Sequence, residues 1–291
     1  MVENRMSLPP NKSSSNAILP SVLVAVWALG GCGMVESIKD SPLGEDMFPW
    51  TPTQAVEYAF ASYDPDMRRK AVAMLAAAPF SDDEAYEKYV RMNRTLLRTE
   101  PNPSVQAVLV MALGMHGDSN DAVTVATYLA NTSNPRFVRW EAAKALRKLH
   151  NPQVLDELIQ AASEDDDADV RMAATDALGQ YPQPSVFETL LGRLDDAPYG
   201  NFGVMTTAGR SLHKLTGQDF GIDSAKWRQW RNENQADLFK NQQVYTFQPY
   251  NRPSSMVQKI QFWKKTELKP PRTATGTDVG GSQQQQSPGS S

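Results

Sequence analysis

The sequence predicts an all-α protein, an α-solenoid of about five helical hairpins with a C-terminal capping helix and disordered termini. Three observations predict it. One pattern, a polar residue followed by small and apolar residues at helical spacing, recurs five times between about 50 and 240. Strand-like alternation is almost absent from the same stretch. A helical segment with paired tryptophans, Trp227 and Trp230, follows the last copy. Hairpins that cannot bury both faces alone must stack, and the open end of a stack needs a cap.

The chain starts with something else. Residues 1–16 are polar and carry Arg5 and Lys12, and Ala17 to Leu29 is an apolar run broken only by Pro20 and Ser21. A charged start, a short apolar core and small residues before a cut define a secretory signal. The run is short for a membrane span of roughly 20 residues, which weighs against an uncleaved anchor. Leu29-Gly30-Gly31-Cys32 resembles the lipobox of bacterial lipoproteins. That resemblance implies a signal peptide over residues 1–31, cleavage between Gly31 and Cys32, and acyl chains (palmitate or similar) on Cys32. The mature chain would then be anchored, facing the periplasm, in the bacterial cell envelope, with Gly33 after the cysteine favouring the outer membrane. Two or three acyl chains hold a protein to a membrane stably where one does so only marginally. Residues 32–50 read as a linker, 51–240 as the solenoid with its cap, and 241–291 as an aromatic, then low-complexity, mostly disordered tail.

The five repeat anchors are Met67, Val105, Val138, Val170 and Val204, spaced 38, 33, 32 and 34 residues apart. Each leads to small or apolar residues four, seven and eight places on, as in Ala142, Ala145 and Leu146 or Ala174, Ala177 and Leu178. These positions share one helix face, so they form a buried stripe. Asn or Asp stands just upstream of each, suited to cap the helix, and Pro suits the first turn. First helices are predicted over Thr53–Tyr63, Asp82–Leu97, Asn120–Leu129, Pro152–Ala162 and Pro184–Leu194. Leu155, Leu158 and Ile159 carry amphipathic spacing in the fourth of these, and Val186, Leu190 and Leu191 in the fifth.

The runs Val138-Arg139…Ala142…Ala145-Leu146 and Val170-Arg171…Ala174…Ala177-Leu178 resemble the second helix of HEAT repeats. The resemblance covers about two thirds of the chain. It implies repeat-core roles for Ala142, Leu146, Ala174 and Leu178, and a ladder of Asp–Arg contacts between repeats. Asp169 and Arg171 fit that ladder best, whereas Gln106 and Met205 interrupt it. The closing stretch Leu215-Thr216-Gly217, then Trp227 and Trp230, resembles the end of HEAT-repeat envelope proteins of planctomycete-like bacteria. Paired tryptophans three apart cover a large apolar area and read as the cap. A sugar or anionic polymer on the pair is the alternative.

Beyond the cap, Tyr245, Phe247, Tyr250, Phe262 and Trp263 are scattered among polar residues and prolines, and the aromatic stretch 244–263 is expected either to pack back along the solenoid, the reading favoured here, or to dock on a partner. From Pro270 onward the chain is low-complexity and too polar to order itself.

Signals for chemistry are sparse. A single cysteine excludes an intramolecular disulfide and a Cys-based zinc site. The net charge of −4 argues against wrapping nucleic acid. His116, His150 and His213 fall near the ends of second helices, too far apart in sequence for a metal pair, and suit the helix dipole. The acidic run Glu164 to Asp169 reads as a solvated loop favoured by the next helix N-terminus. It has carboxylates fit for calcium but lacks the spacing and turning Gly of an EF-hand. Basic residues on second helices (Arg68, Arg69, Lys70, Lys144, Arg147, Lys148, Arg210 and Lys214) are either ordinary solvated side chains or the lining of a basic groove.

The family resemblance implies a non-enzymatic, protein-binding scaffold, lipid-anchored in the envelope, acting through the surface of its solenoid on an unnamed protein or envelope component. It also allows a phycobilin-lyase-like accessory enzyme and a purely structural part of an envelope complex. No catalytic residue, cofactor, metal or small-molecule substrate is expected.

Overall fold

The computed structural model describes residues 51–77, 82–195, 201–248 and 270–277. All belong to a compact unit of Thr51–Pro253 with Thr266–Ser291. A second unit, Met1–Trp50 with Ser254–Lys265, lies outside the described residues, and so do Gly31 and Cys32 of the signal reading.

The described residues form five antiparallel helix pairs and a closing helix. The pairs are α1 (Pro52–Ala61) with α2 (Pro65–Ala77), α3 (Asp83–Thr99) with α4 (Pro103–His116), and α5 (Asp121–Ala130) with α6 (Arg136–Leu146). Next come α7 (Leu155–Glu164), entered through a 3₁₀ turn at Pro152–Val154, with α8 (Ala168–Leu178), then α9 (Pro184–Arg193) with α10 (Phe202–Thr216). Helix α11 (Ser224–Glu233) closes the series. The second helices pack on one another in succession from α2 to α10, while α5, α7 and α9 form part of the layer beside them. This is an all-α solenoid.

The stripe at positions 0, 4, 7 and 8 accounts for the stacking. In the second to fifth copies every member is buried, including Val105, Leu109, Ala112 and Leu113 in α4 and Val204, Ala208, Ser211 and Leu212 in α10. In the first copy Ala71 and Leu75 are buried while Met67 and Met74 are only half-buried, as befits a helix at the end of the stack. Small side chains set the helix spacing. A Cβ built on Gly114 of α4 would stand 2.6 Å from the Cβ of Ala145 in α6.

Capping explains where several helices start. Asn102 accepts from the Ser104 and Val105 N–H groups, Asp167 from those of Asp169 and Val170, and Thr51 and Gln54 close a reciprocal box on α1. Two predicted caps differ. Asn134 donates its side-chain amide to the Tyr128 carbonyl, leaving Pro135 to open α6, and Asn201 makes no capping bond. Helix α10 ends at Gly217, whose φ of 74° is the left-handed region that favours glycine.

Neighbouring repeats are tied together by charge, though by different carboxylates from the one the sequence suggested. The residue after each of the first four anchors reaches back to a loop carbonyl: Arg68 to Ser62, Gln106 to Glu100, Arg139 to Asn134 and Arg171 to Asp165; after the fifth, Met205 is buried instead. Two of these residues also bond to the next repeat, Arg68 to Glu100 at 2.7 and 2.9 Å and Arg139 to Asp165 at 2.8 and 2.9 Å. Asp169 is exposed in the first turn of α8, so the loop residue Asp165, which faces Arg139, takes the role expected of it.

After α11 the chain turns back over the C-terminal ends of the second helices. Gln243 N–H donates to the Lys214 carbonyl, Tyr245 is buried, and Phe247 pairs with Arg272 through two backbone bonds of 2.9 Å. Thr275 continues the path, donating to the Lys148 carbonyl and accepting from His150 N–H at 2.8 and 2.7 Å. Residues 270–277, read as unordered from composition, are thus held by backbone bonds that composition does not report. Of the aromatic stretch, Tyr245 and Phe247 are placed here, while Tyr250, Phe262 and Trp263 lie outside the described residues.

Candidate binding surface

With positions 0, 4, 7 and 8 turned inward, most residues one before the anchor and two, three and six after it reach solvent, while Ala107, Ala173 and Thr207 at these positions are buried. Their chemistry changes from copy to copy. Helix α2 presents Asp66, Arg69, Lys70 and Ala73; α4 presents Ser104, Val108 and Met111; α8 presents Asp169, Met172 and Asp176; α10 presents Thr206 and Arg210. Uniform inward positions beside diverse outward ones separate packing from recognition.

The centre of this surface is α6. Phe137, Trp140, Glu141 and Lys144 follow one another at i, i+3, i+4 and i+7, so they share a face. Phe137 is 40 % and Trp140 36 % exposed, large values for such side chains in the middle of a stack. The Lys144 ammonium lies 3.6 Å from the centre of the Trp140 ring and 2.7 Å from the Glu141 carboxylate. Cation–π contact and ion pair together fix the indole with one face toward the cation, as a preformed platform. Arg136 adds an exposed base, bonded to Asp167 at 3.3 Å. Sequence reading passed over Phe137 and Trp140. The available signal was two large aromatics just off the small-residue stripe.

The other basic residues do not line a continuous basic groove. Arg68 is committed to Glu100, while Arg147 and Lys214 flank one carboxylate, Asp176, at 2.8 and 3.5 Å. Burial, with Arg147 adding to it, pushes the Lys148 ammonium down to about 8. Lys70 and Arg210 are exposed at opposite ends of the stack.

The acidic run is divided among structural tasks. Asp165 and Asp166 both contact Arg139, and Asp167 caps α8. Burial raises the Asp165 carboxyl, but bonds from Arg139 and from the Asp167 N–H outweigh it and hold the group below the usual carboxylate range. Among the described residues, no group of three or more His, Cys, Asp or Glu could hold a metal ion.

Each imidazole has structural partners. His116 Nε2 donates to the Ala76 carbonyl of the preceding second helix at 2.8 Å. His150 Nδ1 lies 3.2 Å from Gln180 Oε1, and its ring stacks on Tyr181 at 4.6 Å. His213 Nδ1 donates to the Gln218 carbonyl, which leaves Nε2 to accept from the Gln243 amide at 3.1 Å.

Ala142, Leu146, Ala174 and Leu178 are all wholly buried. Trp227 is wholly buried too, with Nε1 donating to the Gly221 carbonyl at 3.0 Å and its ring meeting Phe187 of α9 and Phe220 edge-on. Trp230 is half-buried beside them, 6.3 Å from Phe187. The neighbouring bases are engaged, Arg228 with Asp195 and Arg231 with Glu188.

Among known families, the one described as HEAT repeats matches residues 52–147, 90–179 and 138–212, overlapping segments that span more than half of the chain. No curated protein matches it.

Proposed function

The chain belongs to the HEAT-repeat family, and from that premise we propose that it is a non-enzymatic scaffold, lipid-anchored in a bacterial envelope, that binds a protein through the exposed face of its second helices. The platform of Phe137, Trp140 and Lys144 carries this reading. Half-exposed aromatics held rigidly beside a cation are what protein interfaces use as anchors, since little freedom is lost when they are covered. The alternation of apolar, aromatic and charged positions from α2 to α10 offers one partner many different contacts. Support for the anchor comes from the N-terminal sequence: the apolar run and Leu29-Gly30-Gly31-Cys32. Among the described residues, no helix is long and apolar enough to cross a membrane. Support for a non-enzymatic role comes from the three histidines, each holding backbone carbonyls or side-chain amides.

Two measurements test the parts separately. Intact mass of the chain made in a bacterial host, beside Cys32→Ala, should show loss of residues 1–31 and gain of two or three acyl chains only with cysteine present. A photo-crosslinker in place of Trp140 should give a discrete adduct in envelope preparations, while one at Val123, exposed on α5, should not. Equal labelling from both positions would sink the proposed binding face.

A further inference from the structure

Helix α1 differs from the inner first helices in what it leaves uncovered. Helix α9 buries adjacent columns, Val186 with Phe187 and Leu190 with Leu191. Helix α1 buries Ala55 and Ala59 but leaves Val56 40 % and Phe60 51 % exposed, and these two fall at i and i+4 and share one helix face. Tyr63, two residues past the end of the helix, is fully exposed. Tyr58 adds a partly exposed ring on the same helix. At the opposite end of the stack Trp227 closes the core, although Phe202 and Ile222 are exposed there.

We propose that the stripe of Val56 and Phe60, with Tyr63 just beyond the helix end, rests in the interfacial layer of a lipid bilayer; this builds on the reading that Cys32 carries the anchor. Three observations select a bilayer as the occupant. The stretch from Met47 to Tyr63 holds a single charged residue, Glu57, yet contains Phe48, Trp50, Tyr58, Phe60 and Tyr63. Aromatic side chains with few charges suit the headgroup boundary, where a ring is half in hydrocarbon and a phenol hydroxyl stays wet. The stripe also stands at the anchored end of the chain. Eighteen residues, 33–50, separate Cys32 from Thr51, so the two can be at most roughly 60 Å apart. A tether of that length holds α1 close to the bilayer at a high effective concentration, so that even a weak apolar contact is populated. Contact there orients the solenoid, leaving the α6 platform for a partner instead of allowing free tumbling on the linker.

The test uses the full chain and exploits its single cysteine. In a Tyr63→Cys version the acylated Cys32 cannot react, so an environment-sensitive fluorophore attaches at position 63 alone. The labelled lipoprotein is placed in vesicles of phosphatidylethanolamine and phosphatidylglycerol and recovered by flotation. The proposal expects a severalfold brighter, blue-shifted emission quenched by spin-labelled lipid, with a probe at Val123→Cys remaining water-like. Flotation with a water-like signal at position 63 overturns the membrane contact and leaves the anchor reading intact. A shift that grows with protein density and ignores the lipid quencher assigns the stripe to a second copy and also overturns it. Chain that fails to float, with both cysteines labelled, removes the anchor reading and the proposal together.

Discussion

Arg139 and Asp165 face each other between the third and fourth repeats in a two-bond ion pair, with side chains only 6 % and 4 % exposed. Breaking one partner of such a pair strands the other as a buried charge, which costs about 3–5 kcal/mol. Asp165→Ala should therefore lose that much stability in urea denaturation at neutral pH, the exposed Asp166 compensating little. The acid limb follows from the sign of the shift. The folded Asp165 carboxyl lies below its unfolded value of about 3.9, so its contribution is full above that value and is lost as pH falls toward the folded pKa. Asp165→Asn should flatten the loss of stability with acid. An unchanged acid limb would mean that the pair contributes nothing.

Gly114 and Ala145 mark the tightest approach between α4 and α6. In an open helix Gly→Ala gains about 0.5–1 kcal/mol. Here the new Cβ would stand 2.6 Å from the Cβ and 2.7 Å from the Cα of Ala145, so the helices must separate. Gly114→Ala should reverse the usual sign and cost about 1–3 kcal/mol, read as a lower thermal midpoint. A rise in the midpoint would show that the helices have room to spare.

The parts of this architecture that were legible in sequence are those set by local periodicity. Val138, Ala142, Ala145 and Leu146 announce a buried face because a helix repeats every 3.6 residues, whatever packs on it. The same logic reaches Trp227, since a solenoid must end. It does not reach Asp165, because Asp165 and Asp169 look alike in an acidic run and only the loop's path decides which one meets Arg139. Nor does it reach Thr275, whose place depends on backbone bonds to Lys148 and His150, more than a hundred residues away. Phe137 and Trp140 lie between these cases. Their off-stripe position was readable, but the Lys144 contact that makes them a platform needed coordinates.

Tyr245 separates the apolar from the polar contribution of the returning segment. Its ring is buried beside Lys214, whose ammonium is 4.4 Å from the ring centre, yet among the described residues its hydroxyl has no hydrogen-bond partner. A buried unpaired hydroxyl costs about 1–3 kcal/mol, so Tyr245→Phe should hold or raise the thermal midpoint. Tyr245→Ala should lose about 3–5 kcal/mol through the cavity it leaves. It should also speed amide exchange at Thr275 and His150 as the segment detaches. Destabilisation by Tyr245→Phe would point to a water or partner on the hydroxyl.

Lys148 gives the solenoid an alkaline signature. It stands two residues beyond α6, and its carbonyl takes the Thr275 N–H, so the returning segment covers the end of that helix. Burial comes first among the causes that push its ammonium down to about 8, with repulsion from Arg147 behind it, against about 10.4 in an unfolded chain. Below the lower value both states are protonated, and the cost of burying the charge is borne in full. Between the two values the unfolded chain holds more protons, so this residue makes stability rise with pH. Lys148→Met keeps the length of the side chain and removes the charge. It should raise stability at about pH 7 by about 1–3 kcal/mol and flatten the rise between about pH 8 and 10. Denaturant midpoints at several pH values in that window test this directly. A methionine variant that is weaker at pH 7 with the slope unchanged would mean that the ammonium reaches water past the covering segment.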